Sequence, residues 1–552
     1  MRGATQAKFA AGAIVIALAA TACSSSGSGS SGSGSSGSSG AANASGVVNA
    51  WWGDPQNPLE PANTNEVNGS AVLDMIMTGL IQYDPKTSKA ENAVADSITS
   101  SDQQNWTVKL KSGWKFSDGT PVTATSFVDA WNYGALSTNK QVNSSFFDYI
   151  DGYNAVAPAS GSPTAKTLSG LKVVNDTTFT VKLTQKFSTW PQTLGYTAFF
   201  PLPASFYTDH AAYLNKPIGN GPYKIDTWTK SQQMKLVPNP SYTGTNKPKN
   251  GGINLKVYTD TNAAYADLQA GNLDIDNGLP NAALKTVKTD LDGRFLNEPA
   301  GIIQTISFPF YQPDWNTAGA QLVRQGISMA IDRPTITKQI FDNTRTPATD
   351  WTSPVLGEAG GYQEGLCGGN CTYNPTKAKQ LITQGGGIPG GQLTISYNAD
   401  GPHKEWVDAV CNSINNVLGN NKACVGKPVG TFADFRNQVT GKQETSAFRT
   451  GWQMDYPLIQ DFLQPLYTTT GGSNDAHYSN PKFDALVNQA NAEADTTKAV
   501  QDFRSAEQIL VTDMPAIPLW YQNGTVGWSS KVSNVALDPF SVPVYTDITV
   551  NK

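Results

Sequence analysis

The stretch from residue 24 to residue 40 contains only serine and glycine. Such a run has no side chain to bury and behaves as a flexible coil. It therefore divides the chain into a short leader and a long body. Its 17 residues give a root-mean-square reach of roughly 20–25 Å. Ahead of it, Arg2 and Lys8 flank the start of an apolar run from Phe9 to Ala20. That run is too short to cross a bilayer and has the length of the hydrophobic region of an export signal. No later segment is apolar for long enough to span a membrane. The body is expected to be soluble and outside the cytoplasm.

Thr21-Ala22-Cys23 sets small residues before a cysteine and resembles a bacterial lipobox. Ala20 stands where such signals usually carry Leu, with Leu18 two residues earlier. The resemblance implies removal of residues 1–22 as a signal peptide and lipidation of Cys23. Residues 23–46 would then tether the body to the outer face of the cell membrane. Ordinary secretion is the alternative. Four further cysteines, Cys367, Cys371, Cys411 and Cys424, make an even set in an exported chain, which suggests disulfides. Three pairings are possible. Nearest neighbours are expected, because Cys367-Gly-Gly-Asn-Cys371 reads as a tight loop.

At 552 residues the chain has room for several domains or one large multi-lobed body. A net charge of −5 offers no basic excess for nucleic acid. Only His210, His403 and His477 are present, so no metal site is expected and no cofactor is implied. The 13 Trp and 20 Tyr would serve a body that wraps or stacks a ligand.

Strand and helix signals alternate along the body, giving an α/β reading. Val47 to Trp52 is a short apolar strand, and Asn57 to Pro61 a turn. Ala71 to Leu80 carries Val72, Leu73, Ile76 and Leu80 at helical spacing. Asn105 to Leu110 puts Trp106, Val108 and Leu110 on one strand face. Asp118-Gly119 is a hairpin signal, and Thr123 can cap a helix from Ser126 to Leu136. Val323, Ile327, Ala330 and Ile331 form one apolar helical face. Phe483, Leu486, Val487 and Ala490 form another, as do Val500, Phe503, Ala506 and Leu510.

Four elements in order carry a resemblance. Gly79-Leu-Ile-Gln-Tyr-Asp84 with Trp106 to Ala124 is the first, and Ile218-Gly-Asn-Gly-Pro-Tyr-Lys-Ile225 the second. Val323-Arg-Gln-Gly-Ile-Ser-Met-Ala-Ile-Asp-Arg333 is the third, and Asp475 to Asp484 the fourth. Together they resemble the family 5 solute-binding proteins, the extracytoplasmic receptors of oligopeptide and dipeptide ABC importers. The resemblance runs from about Val47 to the C-terminus. It implies a two-lobed periplasmic-binding-protein-like fold, type II in its large cluster C form. Two lobes joined by a hinge would close on a ligand cleft. Lobe one would comprise residues 47–81, 217–300 and 523–552, with an extra subdomain over 82–216. Lobe two would run from 301 to 522.

The resemblance also points to a site. Thr450-Gly-Trp-Gln-Met-Asp-Tyr-Pro457 holds one carboxylate flanked by aromatic residues, suited to a cation. Gly451, Trp452, Asp455 and Tyr456 match the family's G-W-x-x-D-Y run, whose Asp pairs with the α-ammonium of a bound peptide. On its own the run also reads as a strand end and a turn. Arg449 to Gly451, and Asn65 to Val67 on the other lobe, are expected to pair with ligand backbone, as in strand addition. Glu60 stands where the family usually has Asp. Arg449 and His403 fall where oligopeptide receptors carry cations near the ligand carboxylate. Phe432 and Tyr521 resemble aromatic cleft positions. Each of these four could equally be exposed or structural.

The chain is thus expected to be a monomeric, lipid-anchored receptor, not an enzyme. Its expected partners are oligopeptides and an ABC permease with its cytoplasmic ATPase. Two other readings stand beside this one. The same fold could hold an oligosaccharide or a metal complex, or the chain could be an exported hydrolase. Against the hydrolase, no Gly-x-Ser-x-Gly elbow, His-Glu-x-x-His or phosphate loop is present. A signalling receptor would carry the same residues as a nutritional one.

Overall fold

The computed structural model describes residues 42–552, save Asp400 and Thr431. The expected signal peptide, Cys23 and most of the tether lie outside the described residues. Residues 42–46, assigned above to the tether, already belong to the body: Asn43 N–H donates to Val550 O at 2.7 Å, and Ala42 bridges Asn551. No helix among the described residues is long and apolar enough to cross a membrane.

The architecture is α/β with two large hydrophobic cores. The first core draws on residues from both ends of the body, including Val48, Trp131, Phe179, Ile225 and Val526. The second is built from residues 303–521, including Ile306, Val323, Trp351, Phe462 and Trp520.

An 11-stranded sheet links the two. Its order is Cys424–Val429, Leu393–Asn398, Ala447–Gln453, Phe295–Ser307, Ala516–Trp528, Ile275–Asp276, Val47–Trp52, Gly252–Val257, Gln233–Pro238 and Tyr223–Thr229, with Arg345–Pro347 also beside Ala516–Trp528. The two 13-residue strands Phe295–Ser307 and Ala516–Trp528 run antiparallel from one core to the other. Their register breaks between Pro299 and Ile302, opposite Asn523 and Gln522. A bulge there bends the ladder. Gly301 bridges the break, with its N–H donating to Pro539 O and its carbonyl accepting from Met454 N–H, both at 2.8 Å. A separate four-stranded sheet, built from Ala95–Thr99, Asn105–Leu110, Thr178–Lys182 and Leu171–Asn175, lies within the first core's territory.

The motif residues have local physical roles. The first helix is Val67–Ile76, a turn earlier than the periodicity suggested. It stops because Gly221 N–H takes the Ile76 carbonyl at 2.7 Å. The buried Asn220 side chain meanwhile bonds both Thr78 N–H and Thr78 O. A Cβ at Gly219 or Gly221 would collide with the Ile76 backbone, so that turn requires glycine. The helix Ala124–Ala135 begins at a Thr123–Ser126 capping box.

In the third motif, Arg324 and Arg333 are almost fully buried, and backbone carbonyls satisfy both. Arg324 donates to the carbonyls of Trp315, Asp513 and Met514. Arg333 donates to Pro518 O, Ser328 O and Cys371 O and to the Ser328 hydroxyl. Disulfides join Cys367 to Cys371 and Cys411 to Cys424, the expected pairs.

Candidate functional site

The strand Ala447–Gln453 carries the sequence run of interest to the junction of the cores. Met454 packs in the second core, whereas Tyr456 packs in the first. Asp455 sits between them, partly exposed. Behind it, the helix Ile459–Tyr467 contributes Asp461, which is fully buried. Asp461 Oδ2 accepts from the Trp452 indole N–H and from Asp455 N–H, each at 3.0 Å. Trp452 therefore orients Asp461, and Asp461 fixes the backbone of Asp455. Tyr456 is buried, and its hydroxyl donates to Gln460 Oε1 at 2.8 Å. Gly451 pairs with Gln304 in the ladder.

The two carboxylates press on each other. Burial pushes Asp455 up from the ordinary range, while a hydrogen bond from the Tyr196 hydroxyl partly opposes that shift. Burial and the Asp455 charge push Asp461 well above the usual carboxylate range. Two close acids with little water resist double ionisation, so the pair favours keeping a proton near neutrality.

Asp455 opens onto a cavity of about 310 Å³. The first helix and the residue before it line one wall with Glu66, Val67 and Asp74. Tyr83, Tyr196 and Phe200 line a second wall, and the segment from Asp538 to Thr546 a third. The segment around Asp538 is tied to the strand before Asp455 at the register break: Gln453 Nε2 donates to Phe540 O at 2.9 Å beside the Gly301–Pro539 bond. Among the described lining residues there is no Lys, Arg or His. No group of acids, histidines and cysteines among the described residues could hold a metal ion.

The residues expected at the site fall into two groups. Asp455, Asn65 and Val67 line the cavity together. Trp452 and Tyr456 support Asp455 from behind. Arg449 and Phe432 come together at the far end of the strand, and neither they nor His403 line the cavity. There the Arg449 guanidinium donates to Asn398 Oδ1 at 2.6 and 3.0 Å and lies over the rings of Phe432 and Phe435. His403 Nδ1 accepts from the Trp406 indole at 3.1 Å. Tyr521 departs from its expected cleft position and is buried in the second core. Its hydroxyl accepts from Thr349 N–H and donates to Asp350 O, and it is not among the residues that line the cavity. Glu60 is buried and holds His210 Nε2 at 3.0 Å, away from the cavity lining. Sequence reasoning missed Asp461, Asp74, Asp538 and Tyr196. Only the fold assembles them, and no spacing in the chain announces them.

The two cores, the crossing strands and the junctional cavity define a two-lobed solute-binding protein. Residues 89–474 match the family model of bacterial extracellular solute-binding proteins, family 5 Middle, and the chain belongs to that family. It is 25% identical over 486 residues to the oligopeptide-binding protein OppA of Bacillus subtilis (strain 168), covering 85% of this chain and 86% of that protein. It is 27% identical over 481 residues to the periplasmic murein peptide-binding protein MppA of Escherichia coli (strain K12), covering 85% and 87%. Among solved structures, the Escherichia coli murein tripeptide binding protein MppA superposes with a TM-score of 0.78 at 22% identity, covering 92% of this chain and 98% of that one. Haemophilus influenzae OppA in complex with RPPGFSPFR gives 0.77 at 20% identity, covering 92% and 99%. These relatives bind solutes and are not enzymes, and the chain is likewise a binding protein.

Proposed function

We propose that this chain captures oligopeptides between its lobes and delivers them to an ABC permease. The observation that carries the reading is Asp455, a carboxylate on a cavity wall that offers it no cation. The α-ammonium of a peptide supplies that charge. Asp461, Trp452 and the Tyr196 hydroxyl hold Asp455 in place to meet it. The strand edge at Arg449 to Gly451 and the Asn65 to Val67 segment pair with ligand backbone, a contact indifferent to side chains. Arg449 and His403 hold the ligand carboxylate. The strand from Arg449 to Gln453 rises about 13 Å, which favours a ligand of roughly four residues in extended form.

The lobes divide at 301 and 522, and the register break at Gly301 supports that hinge. Cys23 carries the lipid, and the serine-glycine stretch lets a monomeric body reach the permease. Relatives named for peptide binding support this ligand class over sugars and metal complexes.

The test is calorimetric binding of a tetrapeptide and its N-acetylated form. Acetylation is expected to abolish measurable binding. Equal affinities would sink the role of Asp455 as an ammonium anchor.

A further inference from the structure

Four carboxylates line the cavity: Glu66, Asp74, Asp455 and Asp538. Glu66 is already engaged, because its side chain caps the first helix by accepting from Asn68 N–H at 2.8 Å and Gly69 N–H at 2.9 Å. Asp455 is the proposed ammonium anchor. That leaves Asp74 and Asp538, which no described lining cation neutralises.

Asp74, from the helix Val67–Ile76, and Asp538, from the C-terminal segment, line the same cavity. Asp538 accepts from Phe540 N–H and Val542 N–H, both at 2.9 Å and both on Oδ1. Asp74 stands on the exposed side of its helix, facing cavity solvent while protein encloses the surroundings. An independent feature adds to the imbalance. Asp461, directly behind Asp455, is fully buried, and its Oδ1 has no hydrogen-bond partner among the described residues. The rings of Tyr83 and Phe540 pack on each other in the same lining, 5.6 Å apart.

An ammonium on Asp455 still leaves Asp74 and Asp538 without a cation among the described lining residues. We propose that the cavity selects peptides bearing a second positive charge within the first two residues, a lysine-like or arginine-like side chain held by Asp74 and Asp538. This rests on the peptide reading above, with the α-ammonium on Asp455. Burying an apolar side chain there would leave Asp74 and Asp538 to be stripped of water without compensation. A cationic side chain converts the same burial into a paired charge.

The test compares Lys-Lys-Ala-Ala with Nle-Nle-Ala-Ala, where norleucine keeps the side-chain length and removes the charge. Calorimetry on the wild-type protein is expected to give the lysine peptide an affinity higher by about tenfold or more. In the Asp74→Asn/Asp538→Asn variant, which keeps side-chain shape, the ratio is expected to fall to within about twofold. A wild-type ratio near one would overturn the proposal, and so would a large ratio that survives in the double variant. The wild-type comparison stands even if the variant folds poorly. N-acetylated Nle-Nle-Ala-Ala separates the two claims. Loss of binding on acetylation, with equal lysine and norleucine affinities, would sink the second-charge proposal alone. Undiminished binding of the acetylated peptide would sink the ammonium anchor beneath it. If neither free peptide binds, both fall.

Discussion

The second core and the cavity both remove charge from water, and they resolve it in opposite ways. Arg324 and Arg333 are nearly fully buried, yet every bond their guanidinium groups make ends on an oxygen of the chain itself. Burial draws Arg333 down only to about 9, so it stays charged at neutral pH. Asp538 accepts two backbone N–H bonds, but no described lining cation faces it or Asp74, and desolvation pushes the pair up to about 7 and about 8, so both hold protons around neutral pH. A buried charge whose partners are in the chain belongs to the fold. A desolvated charge whose partner is missing is an invitation to a ligand.

The contrast can be broken most forcefully on the arginine side. Arg333→Ala leaves a cavity and strands the carbonyls of Pro518, Ser328 and Cys371. It is expected to cost roughly 3–5 kcal/mol of stability in denaturant unfolding. A cost below about 1 kcal/mol would mean that those bonds are dispensable.

On the acidic side the sign should reverse. Asp455→Ala is expected to weaken peptide binding by about 2–5 kcal/mol, while the unliganded protein melts no lower than wild type. Unchanged affinity would remove Asp455 from the site.

The acids should also make unliganded stability depend on pH. Their folded pKa values lie above the ordinary carboxylate value, so the protonated forms favour the folded state. That contribution is complete below pH about 4 and is lost as pH rises through about 7 and about 8. Between pH 6 and 9 the melting temperature should drop by roughly 1–3 °C. Asp148 and Asp276 are raised by burial elsewhere and slope the curve the same way. The informative quantity is therefore the flattening produced by Asp74→Asn. An identical slope in that variant would refute the assignment.

The smallest effect sharpens the boundary between the two regions. Glu66 lines the cavity but has its partners in the helix it caps, so it should behave as the arginines do. Glu66→Ala should cost about 1 kcal/mol of stability and leave the preference for lysine over norleucine in place.

Local patterns identified the family and most of the elements. They worked where a residue's reason lies close by in sequence, as with Trp106, Val108 and Leu110 on one buried strand face. The glycines around Asn220 and the neighbouring cysteines were legible for the same reason. Asp455 was found through its run with Trp452 and Tyr456. The first helix ended a turn early because the turn at Gly221 arrives from far along the chain. Tyr521 misled for a related reason. A strand crossing a core offers an aromatic two faces, and sequence does not say which one packs. Asp74 and Asp538 lie 464 positions apart and meet only because the chain ends beside its first helix.

The two long strands have one more consequence. The chain leaves the first core along Phe295–Ser307 and returns along its immediate neighbour, with Ile302 facing Gln522. Everything between is an excursion whose start and finish are adjacent. Such a cassette can be exchanged between relatives, or carry an inserted reporter, without disturbing where its ends must be joined. Recombination could thus regraft one half of the receptor while leaving the Asp74 and Asp538 wall intact.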